Sequence, residues 1–447
     1  MRYKTMARLM VAALAPFANV ASLTAHASTT PIQHVVVLYM ENHSFDNVLG
    51  GWCNQTGRCQ GMPATVKLKS GVVVTPTVAS DVVPNVNHSV AGQLAAIDGG
   101  AMDGWAQVQG CAANTGYVCI SGYTPAQIPN LTALASKFAV SNATFSMADS
   151  PSWGGHVYAV AATLDNFNGN NPVPPSPKPA SWTQGPGWGC NSNLVTTWVD
   201  PLTHVASQQP SCIPDPALAR PNGGAFEPTA AQYVPTIMDE AAAAGLSWRI
   251  YAPSQSAIRG TCPSFAECEY TAQLGNDIST GRVITDASGG TLPAFSLVIP
   301  DAIHSQHNGN SMLTGDNWIG QVVSAIEKGP EWRSTAVFIT YDDCGCFYDS
   351  VAPGINPDGT QQGIRMPVVL VSPYTKAGFV DSTPTTIAGI LAYVEQNFGL
   401  RPLTANDAGA YAFANAFDYS QTPIAGPLMV TSPIPAGETI TNVPDVT

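Results

Sequence analysis

Basic residues are scarce in this sequence. The 447 residues include 17 lysines and arginines against 30 aspartates and glutamates, which is a formal net charge of −13. Removal of the predicted N-terminal signal takes away Arg2, Lys4 and Arg8 and no acidic residue, leaving 14 basic residues and a net charge near −16. This charge argues against nucleic acid as a partner.

Long apolar runs are absent after the N-terminal segment. None of the later runs reaches the roughly 18 residues that a membrane-spanning helix needs. The first 27 residues combine three basic residues, the apolar stretch LMVAALAPFANVASL and the segment AHA. This pattern is typical of a secretory signal cleaved near Ala27, with a mitochondrial-type presequence as the alternative. We therefore expect a secreted or periplasmic protein without a transmembrane segment. The oligomeric state is left open.

The cysteine spacing of a zinc module is also absent. The ten cysteines lie close together in pairs, which favours disulfides in an exported protein. Cys344 and Cys346 are two residues apart, so a bridge between them would be strained, and a free pair is the alternative. Pairing of sequence neighbours predicts four bridges: 53–59, 111–119, 190–212 and 262–268.

No internal repeat is found, and the apolar segments predict one α/β domain. Five continuous runs are typical of buried parallel strands: HVVVLYM, LSWRIYA, FSLVIP, TAVFITY and MPVVLVS. Four helical patterns lie between or after them: IPNLTALASKFAV, VPTIMDEAAAAGL ending at Gly245, GDNWIGQVVSAIEK with Asp316 as a candidate N-cap, and TTIAGILAYVEQNFG closing at Gly399. The alternation predicts a mostly parallel central sheet with helices on both faces.

The expected organisation is a signal peptide over 1–27, one domain over 28–402 and a C-terminal tail over 403–447. Two stretches rich in Gly, Pro, Asn and Ser, 165–230 and 253–292, have weak periodicity. Because cysteines recur inside them, we interpret them as long disulfide-tied loop insertions rather than linkers.

Polar side chains follow the first, third and fourth of the predicted strands. Glu41 and Asn42 come after the first, and Asp342 and Asp343 after the fourth. Parallel strands present their carboxyl ends at one edge of the sheet, so we expect these groups to converge. Two like charges about 4 Å apart repel by roughly 4 kcal/mol at an effective dielectric near 20. The four residues therefore predict a site for one divalent metal ion: calcium, magnesium, manganese or zinc.

Histidines in polar loops are candidates for binding a phosphate or for protonating a leaving group. Those proposed as catalytic are His88, His304 and His307, of which the last two follow the third strand together with Asp301. The remaining candidates, proposed to bind substrate, are His43, His156 and Asp301.

A nucleophile candidate lies in the segment SMADSPSWGGHVY. Ser152 would be exposed at the start of a helix, where free backbone N–H groups favour an oxyanion or a phosphoryl oxygen. Ser150 is the competing choice. The segment lacks the G-x-S-x-G pattern, which argues against an ordinary serine esterase.

These segments, in this order, resemble the bacterial phosphoesterase family that contains non-haemolytic phospholipases C and related acid phosphatases. The segments that carry the resemblance are VVLYMENHSFDNVLG, VNHS with GGAMDGW, SPSWGGH, TAVFITYDDCGCFYDSVAP, and GIRMPVVLVSPYTKAGFV with ILAYVEQNFGL. The resemblance implies an alkaline-phosphatase-like fold, metal binding by Glu41, Asn42, Asp342 and Asp343, and attack by Ser152. It also implies that His88 and either His304 or His307 lie beside the phosphate.

The chain departs from the family pattern at several positions. Cys344 and Cys346 stand where the family usually has glycines, and Ser350, Asp381 and Thr386 where it usually has histidines. These changes affect the expected handling of the leaving group and therefore the choice of substrate.

Three functions are expected from these features. Family phospholipases C commonly carry extra β domains after the catalytic one, whereas only about 45 residues follow NFGLRPL, so the main expectation is a phosphomonoesterase, an acid phosphatase. The alternatives are a phospholipase C acting on phospholipid headgroups and a non-catalytic secreted binding protein on the same fold. A sulfatase is disfavoured because no C-x-P-x-R motif surrounds the nucleophile.

Overall fold

The computed structural model describes residues 28–218, 229–254 and 260–435. The predicted signal peptide and its cleavage site lie outside these residues. Among the helices in the described ranges, none combines the length and apolar character that a membrane span requires.

An eight-stranded mixed sheet forms the centre of the domain. In chain order its strands are β1 (His34–Met40), β2 (Ala139–Ser141), β3 (Trp248–Ala252), β4 (Asp277–Ser279), β5 (Phe295–Val298), β6 (Thr335–Tyr341), β7 (Val368–Val371) and β8 (Val380–Asp381). Their spatial order is β4-β3-β5-β1-β6-β7-β2-β8. The adjacent pairs are parallel except β6–β7 and β7–β2, so β7 is reversed within this sheet.

The five predicted strands are all present, but the expected direction of the last is wrong. MPVVLVS forms β7, which runs antiparallel to both neighbours. A continuous apolar run indicates burial on both faces of a sheet and does not encode strand direction, which depends on the connections. Every residue of β6 is buried, and so are six of the seven residues of β1. Because successive side chains point to opposite faces, both faces of the sheet are covered.

Ten α-helices are present in the described residues. They are α1 (Phe45–Thr56), α2 (Val90–Ile97), α3 (Pro129–Lys137), α4 (Ser152–Ala161), α5 (Ile237–Ala243), α6 (Ala266–Tyr270), α7 (Arg282–Gly289), α8 (Met312–Lys328), α9 (Ala388–Phe398) and α10 (Ala405–Gly409). The four predicted helices correspond to α3, α5, α8 and α9. As predicted, α9 ends before Gly399, whose φ of 66° lies in the left-handed region that glycine adopts without strain.

The predicted N-cap of α8 is wrong. The helix begins one turn earlier, after Ser311, whose side chain accepts from the Thr314 N–H. Asp316 lies inside α8, and its carboxylate accepts from the backbone N–H groups of Asn130 and Leu131 at 2.9 and 2.8 Å. Asp316 therefore satisfies the first turn of α3, a partner 186 residues away that the local pattern does not reveal.

The four predicted disulfides are present: Cys53–Cys59, Cys111–Cys119, Cys190–Cys212 and Cys262–Cys268. Cys344 and Cys346 are free and buried. The first cysteine-containing stretch includes the hairpin of Val195–Val199 with Ala206–Pro210, and the second includes α6, α7 and β4. Because β4 is an edge strand of the central sheet, the expectation that the second stretch is only a loop insertion is wrong. The remaining short strands are Val66–Lys67, Val73–Val74, Thr77–Val78, Ser121–Gly122, Thr144–Phe145 and Thr385–Thr386.

Residues 403–435, assigned by prediction to a tail, pack on the same core as the rest. Phe413 is fully buried, with its ring centroid 5.6 Å from that of Phe338 in β6. Farther along, the Asn130 side chain donates to the Val430 carbonyl at 2.9 Å and accepts from its N–H at 2.8 Å. These contacts make the described part of the segment continuous with the domain.

Candidate active site

The ends of β1 and β6 bring four predicted ligand residues together. The two strands pair in parallel register up to Met40 and Tyr341, so Glu41 and Asp342 leave the sheet side by side. The Asn42 N–H then donates to Asp342 Oδ1 at 2.9 Å. Asn42 has a φ of 65°, a left-handed conformation that asparagine tolerates better than most residues.

Glu41, Asp342 and Asp343, which we call the carboxylate cluster, are fully buried. Burial, together with the charge of Glu41, raises the pKa of Asp342 to about 7, and burial raises that of Asp343. Asp342 Oδ2 has no hydrogen-bond partner in the described part of the chain. Within the same residues, Glu41, His156 and Asp342 offer ligand atoms that lie within 4.8 Å of one another, a possible metal site. Buried carboxylates with an unsatisfied oxygen fit a hard divalent cation.

The orientation of the Asn42 side-chain amide is a second test of whether these residues suit a divalent cation. With its nitrogen toward Asp343, the amide donates to Oδ1 at 3.2 Å and its oxygen accepts from His307 Nε2 at 3.0 Å. With its oxygen toward Asp343, the same geometry places acceptor against acceptor, which a cation between them would stabilise. In that second orientation the amide nitrogen donates to His307 Nε2, while Nδ1–H donates to the Asn308 carbonyl at 2.7 Å. The amide can therefore serve a bound cation without losing its histidine partner.

Ser152 lies against the carboxylate cluster. It is the first residue of α4, as predicted, but its expected exposure is wrong, because the side chain is only 2% exposed. Its Oγ lies 3.3 Å from Glu41 Oε2 and 3.4 Å from Asp343 Oδ2. Gly155, one turn along α4, allows this approach because a Cβ there would lie 2.5 Å from the Asp342 carbonyl oxygen. The competing candidate, Ser150, is buried, and its Oγ has no hydrogen-bond partner among the described residues.

Two of the predicted catalytic histidines lie next to each other. His307 faces Asn42, and its ring centroid is 6.3 Å from that of His88. His88 is fully buried, with Nδ1 at 2.8 Å from the Val86 carbonyl. Of the alternatives His304 and His307, it is His307 that contacts Asn42, next to the carboxylate cluster.

His156, predicted to bind substrate, contacts the carboxylate cluster directly. Its Nε2 lies 3.2 Å from Glu41 Oε1, and its Nδ1 lies 3.2 Å from Thr261 Oγ1. Thr261 was not anticipated, because an isolated threonine beside a disulfide cysteine carries no sequence signal for a site. Only the three-dimensional contact identifies it.

Three other predicted residues make different contacts. His304 and Asp301 pair with each other at 2.6 Å in a partly exposed turn. His43 is fully buried, with Nδ1 at 2.7 Å from Asn47 Oδ1 and Nε2 at 2.8 Å from the Gln306 carbonyl. Its contacts link α1 to the loop that carries His307, so this geometry favours a supporting position over contact with a substrate.

Comparison with known proteins relates this geometry to phosphoesterases. The Phosphoesterase family model matches residues 32–401. Non-hemolytic phospholipase C of Burkholderia pseudomallei is 29% identical over 161 residues, which cover 29% of this chain and 23% of that protein. Its counterpart in Pseudomonas aeruginosa is 26% identical over 222 residues, 39% of this chain and 32% of the relative. The matches thus span no more than about a third of either bacterial relative.

A longer match joins the chain to Non-specific phospholipase C6 of Arabidopsis thaliana, which is 24% identical over 450 residues, covering 89% of this chain and 74% of that protein. Among solved structures, a protein of the alkaline phosphatase superfamily from Vibrio parahaemolyticus aligns with a TM-score of 0.37 and 13% identity, over 88% of this chain and 73% of its own. Because the family model spans most of the sequence, the chain belongs to the Phosphoesterase family.

Proposed function

We propose that this chain is a secreted, metal-dependent phosphoric ester hydrolase with Ser152 as its nucleophile. The observation that carries the proposal is the Ser152 hydroxyl, 3.3 and 3.4 Å from two oxygens of the carboxylate cluster at the first residue of α4. The family match and the names of the relatives support ester cleavage at phosphorus.

The residues proposed to hold one divalent ion are Glu41, Asn42, Asp342 and Asp343. A bound cation would offset the carboxylate charge, polarise a phosphoryl oxygen and lower the pKa of the Ser152 hydroxyl. The metal identity is left to elemental analysis of the purified protein.

The chemical steps follow from the placement of the hydroxyl and the histidines. Ser152 Oγ attacks phosphorus as its proton passes to Glu41 Oε2, 3.3 Å away, and the Oγ–P bond forms as the bond to the leaving alcohol breaks. The departing oxygen takes a proton from a histidine, for which His307 and His88 are the candidates at the cluster. Water then attacks phosphorus and gives a proton back to that histidine, while the Oγ–P bond breaks and Ser152 Oγ recovers its proton from Glu41; phosphate or a phosphomonoester leaves.

Two substrate classes fit this chemistry. A phosphomonoester would make the enzyme an acid phosphatase, whereas the names of the relatives favour a phospholipase C. Rates on p-nitrophenyl phosphate and p-nitrophenylphosphorylcholine separate the two. A kcat/KM at least tenfold higher on p-nitrophenyl phosphate supports the phosphomonoesterase, and the reverse ratio supports the phospholipase C.

The nucleophile is tested by Ser152→Ala. We expect a loss of at least 1,000-fold in kcat/KM, equivalent to about 4 kcal/mol of transition-state stabilisation, with metal binding retained because the proposed ligands remain. Ser150→Ala is the matched variant in the same segment and should keep more than half of the activity. Equal activity of Ser152→Ala and the wild type would remove Ser152 from the mechanism, and absence of chelator-sensitive turnover in the wild type would favour the non-catalytic binding protein.

A further inference from the structure

Three fully or almost fully buried side chains form a line that leads away from the nucleophile. Glu41 Oε1 lies 3.2 Å from His156 Nε2, and His156 Nδ1 lies 3.2 Å from Thr261 Oγ1. Glu41 and Thr261 are fully buried, and His156 is 3% exposed. The second oxygen of Glu41, Oε2, is the one that faces Ser152. The line therefore ends on the carboxylate that contacts the proposed nucleophile.

Hydrogen-bond chemistry gives this line a direction. A buried hydroxyl needs an acceptor for its proton, and within the described residues the Thr261 hydroxyl has His156 Nδ1 as its partner. If Nδ1 carried a proton, the hydroxyl proton would have no acceptor there. Nδ1 is therefore the acceptor, the ring proton lies on Nε2, and Nε2–H donates to Glu41.

The imidazole is also held from the side. The Tyr39 ring meets that of His156 edge to face, with centroids 5.1 Å apart. The Tyr39 hydroxyl donates to the Gly155 carbonyl in α4 at 2.8 Å, one residue before His156. Thr261 itself precedes Cys262, which is joined to Cys268. Rotation of the ring is restricted at its face and at both nitrogens.

We propose that Thr261 is a positioning residue: it selects the Nε2–H tautomer of His156, which anchors Glu41 Oε1 and leaves Oε2 directed to Ser152 and the cation. This inference rests on the proposed function for its catalytic consequence, while the tautomer is a property of the chain alone. Partners that orient a ligating or reacting group in this way are worth about 10- to 100-fold in activity or metal affinity.

The kinetic test compares Thr261→Val, Thr261→Ser and a control. Valine removes the hydroxyl, and we expect kcat on the better chromogenic ester to fall about 10- to 100-fold with KM changed less than twofold. Serine keeps the donor and should restore at least half of the wild-type kcat. Thr132→Val is the control, because Thr132 is a buried threonine whose hydroxyl donates to the Ile128 carbonyl at 2.9 Å in α3. It should lose similar stability and retain kcat.

A second measurement does not depend on activity. In metal-free protein labelled with ¹⁵N-histidine, the His156 signals should show a proton on Nε2 in the wild type and in Thr261→Val a mixture of both tautomers. Calorimetric titration with Mn²⁺ should show weaker binding to Thr261→Val than to Thr132→Val.

Distinct results overturn the two proposals. A wild-type His156 protonated on Nδ1, or a Thr261→Val protein with the kinetics and Mn²⁺ affinity of Thr132→Val, contradicts the positioning role. Unchanged activity of Ser152→Ala, with the Nε2–H tautomer and the Mn²⁺ effect as expected, contradicts the proposed mechanism and supports the role of Thr261 in holding Glu41.

Discussion

Two groups of buried carboxylates follow the same two strands and are neutralised differently. The carboxylate cluster comes directly after β1 and β6. Asp46 and Asp349, which we call the arginine-paired carboxylates, lie a few residues farther along, and both are fully buried. Arg365 donates to Asp46 at 2.9 Å and to both oxygens of Asp349 at 3.0 and 3.2 Å, with its guanidinium 4.3 Å from the centre of the Phe45 ring.

The difference between them separates a structural site from a ligand site. Arg365 supplies a permanent cation to one pair: burial raises the pKa of Asp349 to about 7, and the charge of Arg365 opposes that shift. In the described part of the chain, no lysine or arginine is among the groups that shift the pKa of Asp342 or Asp343, although His156 lowers that of Asp342. Burial without a permanent protein cation costs free energy unless a proton or an external cation compensates. The carboxylate cluster is thus the one that a ligand must complete.

The largest expected effect comes from removing the internal cation. Arg365→Met should lower the free energy of unfolding by about 3–5 kcal/mol, because it leaves two buried carboxylates uncompensated. Urea unfolding followed by circular dichroism measures it. Arg365→Lys keeps the charge but loses the separate N–H donors that reach Asp349 and Asp46, and it should lose less stability than Arg365→Met.

Arg401→Met is the control for that comparison, since Arg401 is 85% exposed and lies 3.5 Å from Glu240. It should change the unfolding free energy by less than about 0.5 kcal/mol. If Arg365→Met were as mild as Arg401→Met, the arginine-paired carboxylates would not depend on Arg365, and the contrast with the carboxylate cluster would fail.

A smaller effect is expected from Asp342→Asn, with opposite signs in the two metal states. In EDTA, the variant should be more stable than the wild type, because one of three mutually repelling buried carboxylates becomes neutral. With the metal at about 100 times its dissociation constant, the wild type should gain about 2.7 kcal/mol and the variant much less. Thermal melting with and without EDTA measures both.

Asp349→Asn is the matched change in the other group. It weakens a pair already compensated by Arg365 and should be destabilising by a similar amount with and without the metal. Metal-independent behaviour of Asp342→Asn, equal to that of Asp349→Asn, would contradict the assignment of the carboxylate cluster to a cation.

The smallest expected effect concerns Asp277, a buried carboxylate that belongs neither to the proposed metal site nor to the carboxylates paired with Arg365. Burial raises the pKa of Asp277 to about 7, with the charge of Glu269 adding to the effect. Because the folded pKa lies above the unfolded value of about 3.9, the stabilising proton uptake is complete below pH 4 and is lost as the pH rises to 7. Asp277→Asn should match the wild type near pH 4 and exceed it by about 1–2 kcal/mol at pH 8, after allowance for solvent screening. If the unfolding free energies of the two proteins changed in parallel with pH across this range, a bound proton would not be what compensates the burial of Asp277.

Local patterns in the sequence predicted much of this molecule. Continuous apolar runs identified five of the eight central strands, cysteine proximity the four disulfides, and the segment around Ser152 the start of a helix. The convergence of Glu41 with Asp342 was predictable as well, because parallel strands must end at the same edge. These features depend on neighbours in the chain or on one general rule of sheets.

Partners distant in the chain were decided only by the tertiary structure. It reversed β7, turned Asp316 from a presumed cap of its own helix into a cap for α3, chose His307 over His304 for the cluster, and placed Thr261 behind His156. No sequence pattern indicated that Arg365 pairs with Asp46 and Asp349 either. The physical reason is that hydrogen bonds and ion pairs between residues far apart in the chain depend on how the helices and strands pack. Periodicity and turn chemistry, in contrast, depend on residues that are neighbours in the sequence.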